Sequence, residues 1–198
     1  ISTFAEELAK TEGITLIDVE LPARFEKTHD IHTTIYHKAL SYYFKEEYEE
    51  YPDKISDVFR NMVEEGKKIS LEDYRKNLEK QSVLTTELDD FLSEFDAVIT
   101  FSTAGEAPLK ESYLEEKRDT SLIWTTCRVP SITAPLFKGP RGLPFGVQFV
   151  ARRYNDYRLL SFLKFLQDRG KIADSPIAAS EMRGETTVPF KQEKVTCR

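Results

Sequence analysis

The sequence contains little glycine, and this shortage excludes several kinds of catalytic site. Eight glycines occur in 198 residues, and no two of them are adjacent. Neither a Gly-x-Ser-x-Gly nucleophile elbow nor a glycine-rich phosphate-binding loop is present. The chain therefore lacks the turns that most readily supply backbone donors to an oxyanion.

Cysteine and histidine are also scarce. The two cysteines, Cys127 and Cys197, form no CxxC motif and are too few for a disulfide framework, so we expect a reducing, cytoplasmic location. Cys127 is expected to be a small buried side chain rather than a reactive thiol. His29, His32 and His37 are close in sequence but show no HExxH signature. Solvated histidines on an acidic helix are the favoured interpretation, and we expect neither a metal nor a cofactor.

The balance of charge and hydropathy excludes two further classes of protein. The net charge is −6, and a negative chain does not gather nucleic-acid phosphates by counterion release. No apolar run approaches the roughly 20 residues that span a bilayer, so no membrane span is expected. Hydrophobic residues make up 40% of the chain, which is enough for a buried core.

Helical periodicity dominates the first half of the chain. It predicts a helix over about 29–50 that ends before Pro52, and a second helix that Asp53 caps and Gly66 ends. A third helix of about six turns begins at a Ser70 capping box. The aromatic run 42–51 has mostly carboxylate neighbours, which favours helix packing with an acidic outer face over a base-stacking surface.

The second half predicts strands. Short apolar runs occupy 14–21, 95–101, 131–135 and 145–150, and Gly139 to Gly142 joins the last two as a turn. A closing helix follows Asn155 and ends at Gly170. We expect one α/β domain over 1–172 and a loosely ordered polar tail over 173–198. Four strands make a small sheet that looks incomplete.

Three segments of the second half resemble the amidase signature family. Residues 95–108 (Phe-Asp-Ala-Val-Ile-Thr-Phe-Ser-Thr-Ala-Gly-Glu-Ala-Pro) are similar to the family's aspartate-led strand and the loop that ends in Ala-Pro. Residues 124–135 are similar to its helix, small–x–Pro turn and short strand. Residues 142–160 match most closely, because Gly-Leu-Pro-x-Gly-x-Gln and then an acidic residue before a Leu-rich helix are highly characteristic. Within this motif, Gly146 and Gln148 are expected to serve the fold rather than the chemistry.

The resemblance implies the C-terminal half of that fold, a mixed β-sheet covered by helices with a helix-rich first half. Amidases of this family hydrolyse C–N amide bonds with a serine, a second serine in a cis peptide and a lysine, held in a Gly-Gly-Ser-Ser-Gly-Gly core and an upstream segment. Neither is present, so the resemblance implies no catalytic residue in this chain. The family usually has proline where Phe101 stands and asparagine before the turn that contains Val129 and Pro130, so the substrate side of the pocket is expected to differ.

The favoured hypothesis is that this chain completes the sheet and closes a pocket over a nucleophile held elsewhere, and that it is inactive alone. Its partners would be a missing N-terminal half or a second copy, and its substrate a small amide. The residues expected to line the substrate pocket are Ser102, Thr103, Gly105, Ser121 and Trp124.

Two alternatives remain open. In the first, an amidase half has become a non-catalytic binding or interaction protein that uses its bare apolar faces. In the second, the chain is an independent hydrolase in which Ser102 pairs with Lys110 or Lys138.

Overall fold

The computed structural model describes residues 2–109, 111 and 120–172 and the backbone of 195–197. The chain forms two compact units, one of Ile1–Leu21 with Leu88–Arg198 and the other of Pro22–Glu87. The α-helices are α1 (Ser2–Ala9), α2 (Thr28–Tyr43), α3 (Lys45–Glu50), α4 (Asp57–Lys68), α5 (Leu71–Leu92), α6 (Leu122–Cys127) and α7 (Asp156–Asp168). The strands are β1 (Leu16–Ile17), β2 (Ala97–Phe101), β3 (Ser131–Lys138), β4 (Pro144–Val150) and β5 (Val195–Cys197).

The helices of the Pro22–Glu87 unit differ from the prediction at two of their ends. The first predicted helix is interrupted at Phe44, which separates α2 from α3. Ser56, rather than Asp53, caps α4, because the Ser56 hydroxyl accepts a hydrogen bond from the Phe59 amide at 3.2 Å. The cap predicted at Ser70 is confirmed, since its hydroxyl accepts the Asp73 amide at 3.0 Å.

The aromatic run 42–51 packs on a neighbouring helix only in part, since most of its rings are solvent-exposed. The Tyr42 and Tyr43 residues are each 75% exposed and contact each other edge to face at 5.2 Å. The whole of α3 contains no buried residue. Phe44 and Tyr48 nevertheless contact α4, because the Phe44 ring packs edge to face on Phe59 at 5.3 Å and the Lys67 ammonium lies 3.8 Å from the centre of the Tyr48 ring.

Gly66 lies inside α4, so the prediction that it ends this helix is wrong. The helix continues to Lys68 and Ile69 is its C-cap. A Cβ at Gly66 would lie 1.9 Å from the carbonyl oxygen of His37 in α2. Glycine is required here because two helices cross in contact, and backbone freedom at a helix end is not the reason.

Gly66→Ala is expected to destabilise the Pro22–Glu87 unit by at least about 2 kcal/mol, because the backbone of α2 has to move. Thermal and urea unfolding followed by circular dichroism measure this loss. Asn61→Ala, at an exposed position of the same helix, is the matched control and should be neutral or slightly stabilising. Equal stability of the two variants would contradict the close helix crossing.

The unit formed by Ile1–Leu21 and Leu88–Arg198 contains a five-stranded antiparallel sheet with the order β1-β5-β2-β4-β3. In β4, Val147 and Phe149 are fully buried in the core that α1 and α7 cover. Phe4 of α1 packs edge to face on Phe149 at 6.3 Å. Gly146 and Gln148 alternate with these residues and therefore lie on the opposite face of the sheet.

The tail prediction falls mostly outside the described residues. Of 173–198, only the backbone of 195–197 is described, and it forms β5 between β1 and β2. Residues 173–194 and 198 lie outside the part of the chain that the structure describes.

Gly146 marks a close approach of β3 to β4. Its Cα pairs with Pro135, and a Cβ would lie 2.6 Å from the Ala134 carbonyl oxygen and 2.7 Å from a methyl carbon of Thr133. The loop 139–143 closes this hairpin as predicted, with the Gly139 amide donating to the Leu143 carbonyl at 2.8 Å. Any side chain at position 146 would push two paired strands apart.

Gly146→Val is therefore expected to lower the free energy of unfolding by about 2–3 kcal/mol or more and to reduce soluble yield. Melting temperature and the soluble fraction after expression measure the effect. Gly105→Val is the matched control, because a Cβ at Gly105 meets no atom within 4 Å. Normal melting of the Gly146 variant with selective loss of ligand binding would contradict this assignment to the fold.

An ion pair joins α5 to the segment after β4. The Oδ2 atom of Asp89 accepts hydrogen bonds from the Arg152 Nε at 3.0 Å and Nη2 at 2.8 Å. The hydrogen bond from the Arg152 guanidinium lowers the pKa of Asp89 below its usual value. A lowered carboxyl pKa stabilises the folded state above the ordinary aspartate pKa of about 3.9. This stabilisation is lost as the pH falls through the lowered value.

Asp89→Asn is expected to destabilise the chain by about 1 kcal/mol at pH 7, a small loss because Arg152 is 44% exposed. The difference from the wild type should shrink as the pH falls below about 4, because the unfolded chain then takes up a proton that folded Asp89 binds only at lower pH. Urea unfolding between pH 3 and 7 measures it. Asp18→Asn, at an exposed position far along the chain from this pair, should show neither the loss nor its pH dependence.

Candidate functional site

A cavity of about 700 Å³ opens where β2, β3 and β4 meet the loop that follows β2. Loops at strand ends are frequent positions for binding residues. The cavity is lined by loop residues 102–108, by Thr120 and Ser121, by Thr133 and Pro135 of β3, and by 144–146 at the start of β4.

Four of the five residues expected at a substrate pocket lie in this lining. Ser102, Thr103 and Gly105 belong to its loop, and Ser121 stands at the N-cap of α6. Trp124 does not line the cavity. It is 4% exposed within α6, and its indole N–H has no hydrogen-bond partner in the described part of the chain.

Ser102 is hydrogen-bonded to the sheet at Gly146, where β3 and β4 approach each other closely. Its amide and its hydroxyl both donate to the Gly146 carbonyl, at 3.1 and 2.9 Å. The Thr120 hydroxyl donates to the Ser102 carbonyl at 2.5 Å. A serine nucleophile needs its hydroxyl proton directed at a base. The Ser102 proton is directed at a peptide carbonyl instead, so this geometry positions the loop and does not activate the serine.

Glu106 is a lining residue that the sequence did not identify. Its side chain is only 5% exposed, and its carboxylate accepts the Arg141 amide at 2.9 Å and the Leu143 amide at 3.0 Å. The Arg141 Nε lies 3.3 Å from the same carboxylate. These donors come from the β3–β4 turn, 35 or more positions away, so no local sequence pattern could have indicated them.

Gln148 supports the cavity from the sheet. Its side chain is 4% exposed, and the amide nitrogen donates to the Ser121 hydroxyl at 3.3 Å. The Gln148 Oε1 atom is buried and has no partner among the described residues. The sequence motif indicated a role for this glutamine in the fold, and its contact with Ser121 also fixes the start of α6 at the cavity.

The described lining holds no nucleophile and base pair. It contains neither lysine nor histidine, and Glu106 is its one ionisable side chain among the residues described. Lys110, one of the two proposed bases, lies outside the described residues, and Lys138 at the end of β3 is not part of the lining. In the described part of the chain, no three His, Cys, Asp or Glu side chains converge on a possible metal position. No helix there is long and apolar enough to cross a membrane.

Comparison with known proteins identifies the family. The family model described as "Amidase" matches residues 1–160, so this chain belongs to the amidase family. One subunit of the mitochondrial glutamyl-tRNA(Gln) amidotransferase of Xenopus laevis is 31% identical over 153 residues, which are 70% of this chain and 29% of that protein. The corresponding amidotransferase subunit of Treponema denticola is 26% identical over 52% of this chain and 23% of its own length. The chain thus spans less than a third of the curated relatives it matches.

Solved structures show the same fold. One, described as an unexpected vestigial protein complex that reveals the origins of an s-triazine catabolic enzyme, superimposes with a TM-score of 0.71 at 20% identity. The match covers 87% of this chain and 40% of that one. The Kluyveromyces lactis allophanate hydrolase matches with a TM-score of 0.63 at 17% identity, over 91% of this chain and 32% of its own. The expected amidase-type α/β fold is confirmed.

Proposed function

We propose that this chain is the C-terminal part of an amidase that hydrolyses C–N amide bonds, and that it supplies the substrate wall without the catalytic Ser–Ser–Lys core. The observation that carries the proposal is the 700 Å³ cavity, because four predicted pocket residues line it and neither lysine nor histidine accompanies them in the described lining. A wall without a nucleophile fits a half-site that is completed by other residues.

The sheet supports an incomplete domain. The eight-residue strand β3 lies at one edge and pairs with β4 on one side only within the described residues. Long bare edges invite additional strands, and proteins usually cover or shorten them. A preceding amidase half, or a second copy of the chain, is the partner that we propose for this edge.

The proposed substrate is a small amide, and the proposed location is the cytoplasm. The substrate is proposed from the family, and the residues proposed to contact it are Ser102, Thr103, Gly105 and Ser121. Trp124, the fifth residue expected there, is buried in α6. The location is proposed because the two cysteines of the sequence are too few for a disulfide framework, which favours a reducing compartment.

A second candidate function is that of a non-catalytic protein derived from an amidase half, which binds a partner. It is favoured by the relatives whose names describe one component of an amidotransferase, and by the structural neighbour described as a vestigial complex. In that function, the surfaces that an amidase uses to complete its domain would bind another protein.

We predict that the 198-residue chain alone hydrolyses no amide, ester or anilide above background and is not labelled by a serine-directed fluorophosphonate. Its sequence lacks the Gly-Gly-Ser-Ser-Gly-Gly core, and the cavity serine Ser102 is not activated. Labelling followed by intact-mass spectrometry measures this. We also expect dye binding or self-association through exposed apolar surface, which the N-terminal half added in trans should suppress. Stoichiometric labelling that is lost in Ser102→Ala would support the independent hydrolase instead.

The DNA upstream of the codon for Ile1 tests the proposal directly. An in-frame lysine segment followed by a Gly-Gly-Ser-Ser-Gly-Gly core would establish the interrupted amidase, and the complete protein should then cleave small amides. An upstream stop codon, together with no activity on mixing with a separately encoded amidase half, would favour the non-catalytic binding protein.

A further inference from the structure

The buried carboxylate of Glu106 joins the loop wall of the cavity to the β3–β4 turn. Both oxygens of Glu106 are used: Oε1 accepts the Arg141 amide at 2.9 Å, and Oε2 accepts the Leu143 amide at 3.0 Å. The Arg141 guanidinium also donates to the carbonyl of Ala107, the next residue of the loop. Hydrogen bonds to a charged acceptor are about twice as strong as neutral ones.

The turn is shaped to receive this carboxylate. A Cβ at Gly139 would lie 2.3 Å from the Glu106 Cδ, so the absence of a side chain there provides the space that the carboxylate occupies. Gly142 has a positive φ of 79°, and its amide donates to the Gly139 carbonyl at 2.9 Å. The amides of Arg141 and Leu143, on either side of Gly142, thus converge on one anion, which here is a side chain of the same chain.

We propose that Glu106 is a positioning residue that fixes the loop 102–108 as the substrate wall of the cavity. The loop is anchored at one end by Ser102 on Gly146 and at the other by Glu106 on the turn, and Thr103 and Gly105 lie between the anchors. Loss of the second anchor frees the wall, and the cavity loses its fixed width. This inference rests on the proposed function only for the statement that the wall contacts substrate.

The proposed anchor is tested first by amide hydrogen exchange on the chain, with Glu106→Ala, Glu106→Gln and the control Glu6→Gln, which removes the same charge from an exposed position of α1. Exchange at Arg141 and Leu143 should accelerate at least tenfold in Glu106→Ala, and peptides over 102–109 should lose protection. Exchange in Glu106→Gln should be intermediate, because the glutamine oxygen can still accept one backbone hydrogen bond while its amide nitrogen faces the other donor. Unchanged exchange in Glu106→Ala would overturn the anchor.

A double-mutant cycle separates the anchor from general destabilisation. Gly139→Ala should displace the carboxylate and accelerate the same amides while leaving the charge in place. In a Glu106→Ala background, Gly139→Ala should have little further effect, because no carboxylate remains to be displaced. Additive effects of the two changes would overturn the proposed contact.

Kinetics of the complete protein test the positioning role. Glu106→Ala should raise KM for a small amide at least fivefold with kcat within twofold, and Glu6→Gln should change neither. Partial unfolding alone would lower the active fraction, and therefore kcat, with KM unchanged. If Glu106→Ala exchanges faster but its KM is unchanged, Glu106 anchors the loop without positioning the substrate, and its proposed role at the substrate wall is overturned. If the complete wild-type protein cleaves no small amide while Glu106→Ala still accelerates exchange at Arg141 and Leu143, the proposed function is contradicted and the anchor is established.

Discussion

The close approach of β3 and β4 at Gly146 determines both the sheet and the site. The Ala134 carbonyl occupies the space that a Cβ would need, so the two strands can pair tightly only with glycine at this position. The carbonyl of Gly146 is then directed at the loop after β2 and accepts both polar hydrogens of Ser102. A change that separates the hairpin therefore also releases one wall of the cavity.

Periodicity and motif predicted much of the fold, because each depends on neighbouring residues. The alternation in 145–150 correctly placed Val147 and Phe149 on one face, and the Ser70 cap follows from residues three positions apart. The role of Gly66 was misinterpreted because it depends on a contact with another helix. A helix crossing and a helix end both favour glycine, and only the position of the His37 carbonyl distinguishes them.

The residues of the candidate site also divide into those that the local sequence indicates and those that only the fold reveals. Ser102, Thr103 and Gly105 could be placed in a pocket because they follow a strand, and such loops gather at a sheet end. Trp124 was expected at the pocket surface but is buried, since an apolar ring on a short helix turns towards the interior. Glu106 was not predicted, because its partners are backbone amides 35 and 37 positions away.

The buried carboxylate also limits what the wall can bind. An isolated ionised group is costly to bury, and Glu106 is tolerated because two amides and a guanidinium surround it. Its charge is therefore already balanced within the protein. The rest of the described lining consists of hydroxyl, backbone and apolar groups. Such a wall offers hydrogen bonds but no counter-charge. The proposed small amide carries no charge and fits such a wall, whereas a charged substrate would need its partner from residues outside this wall.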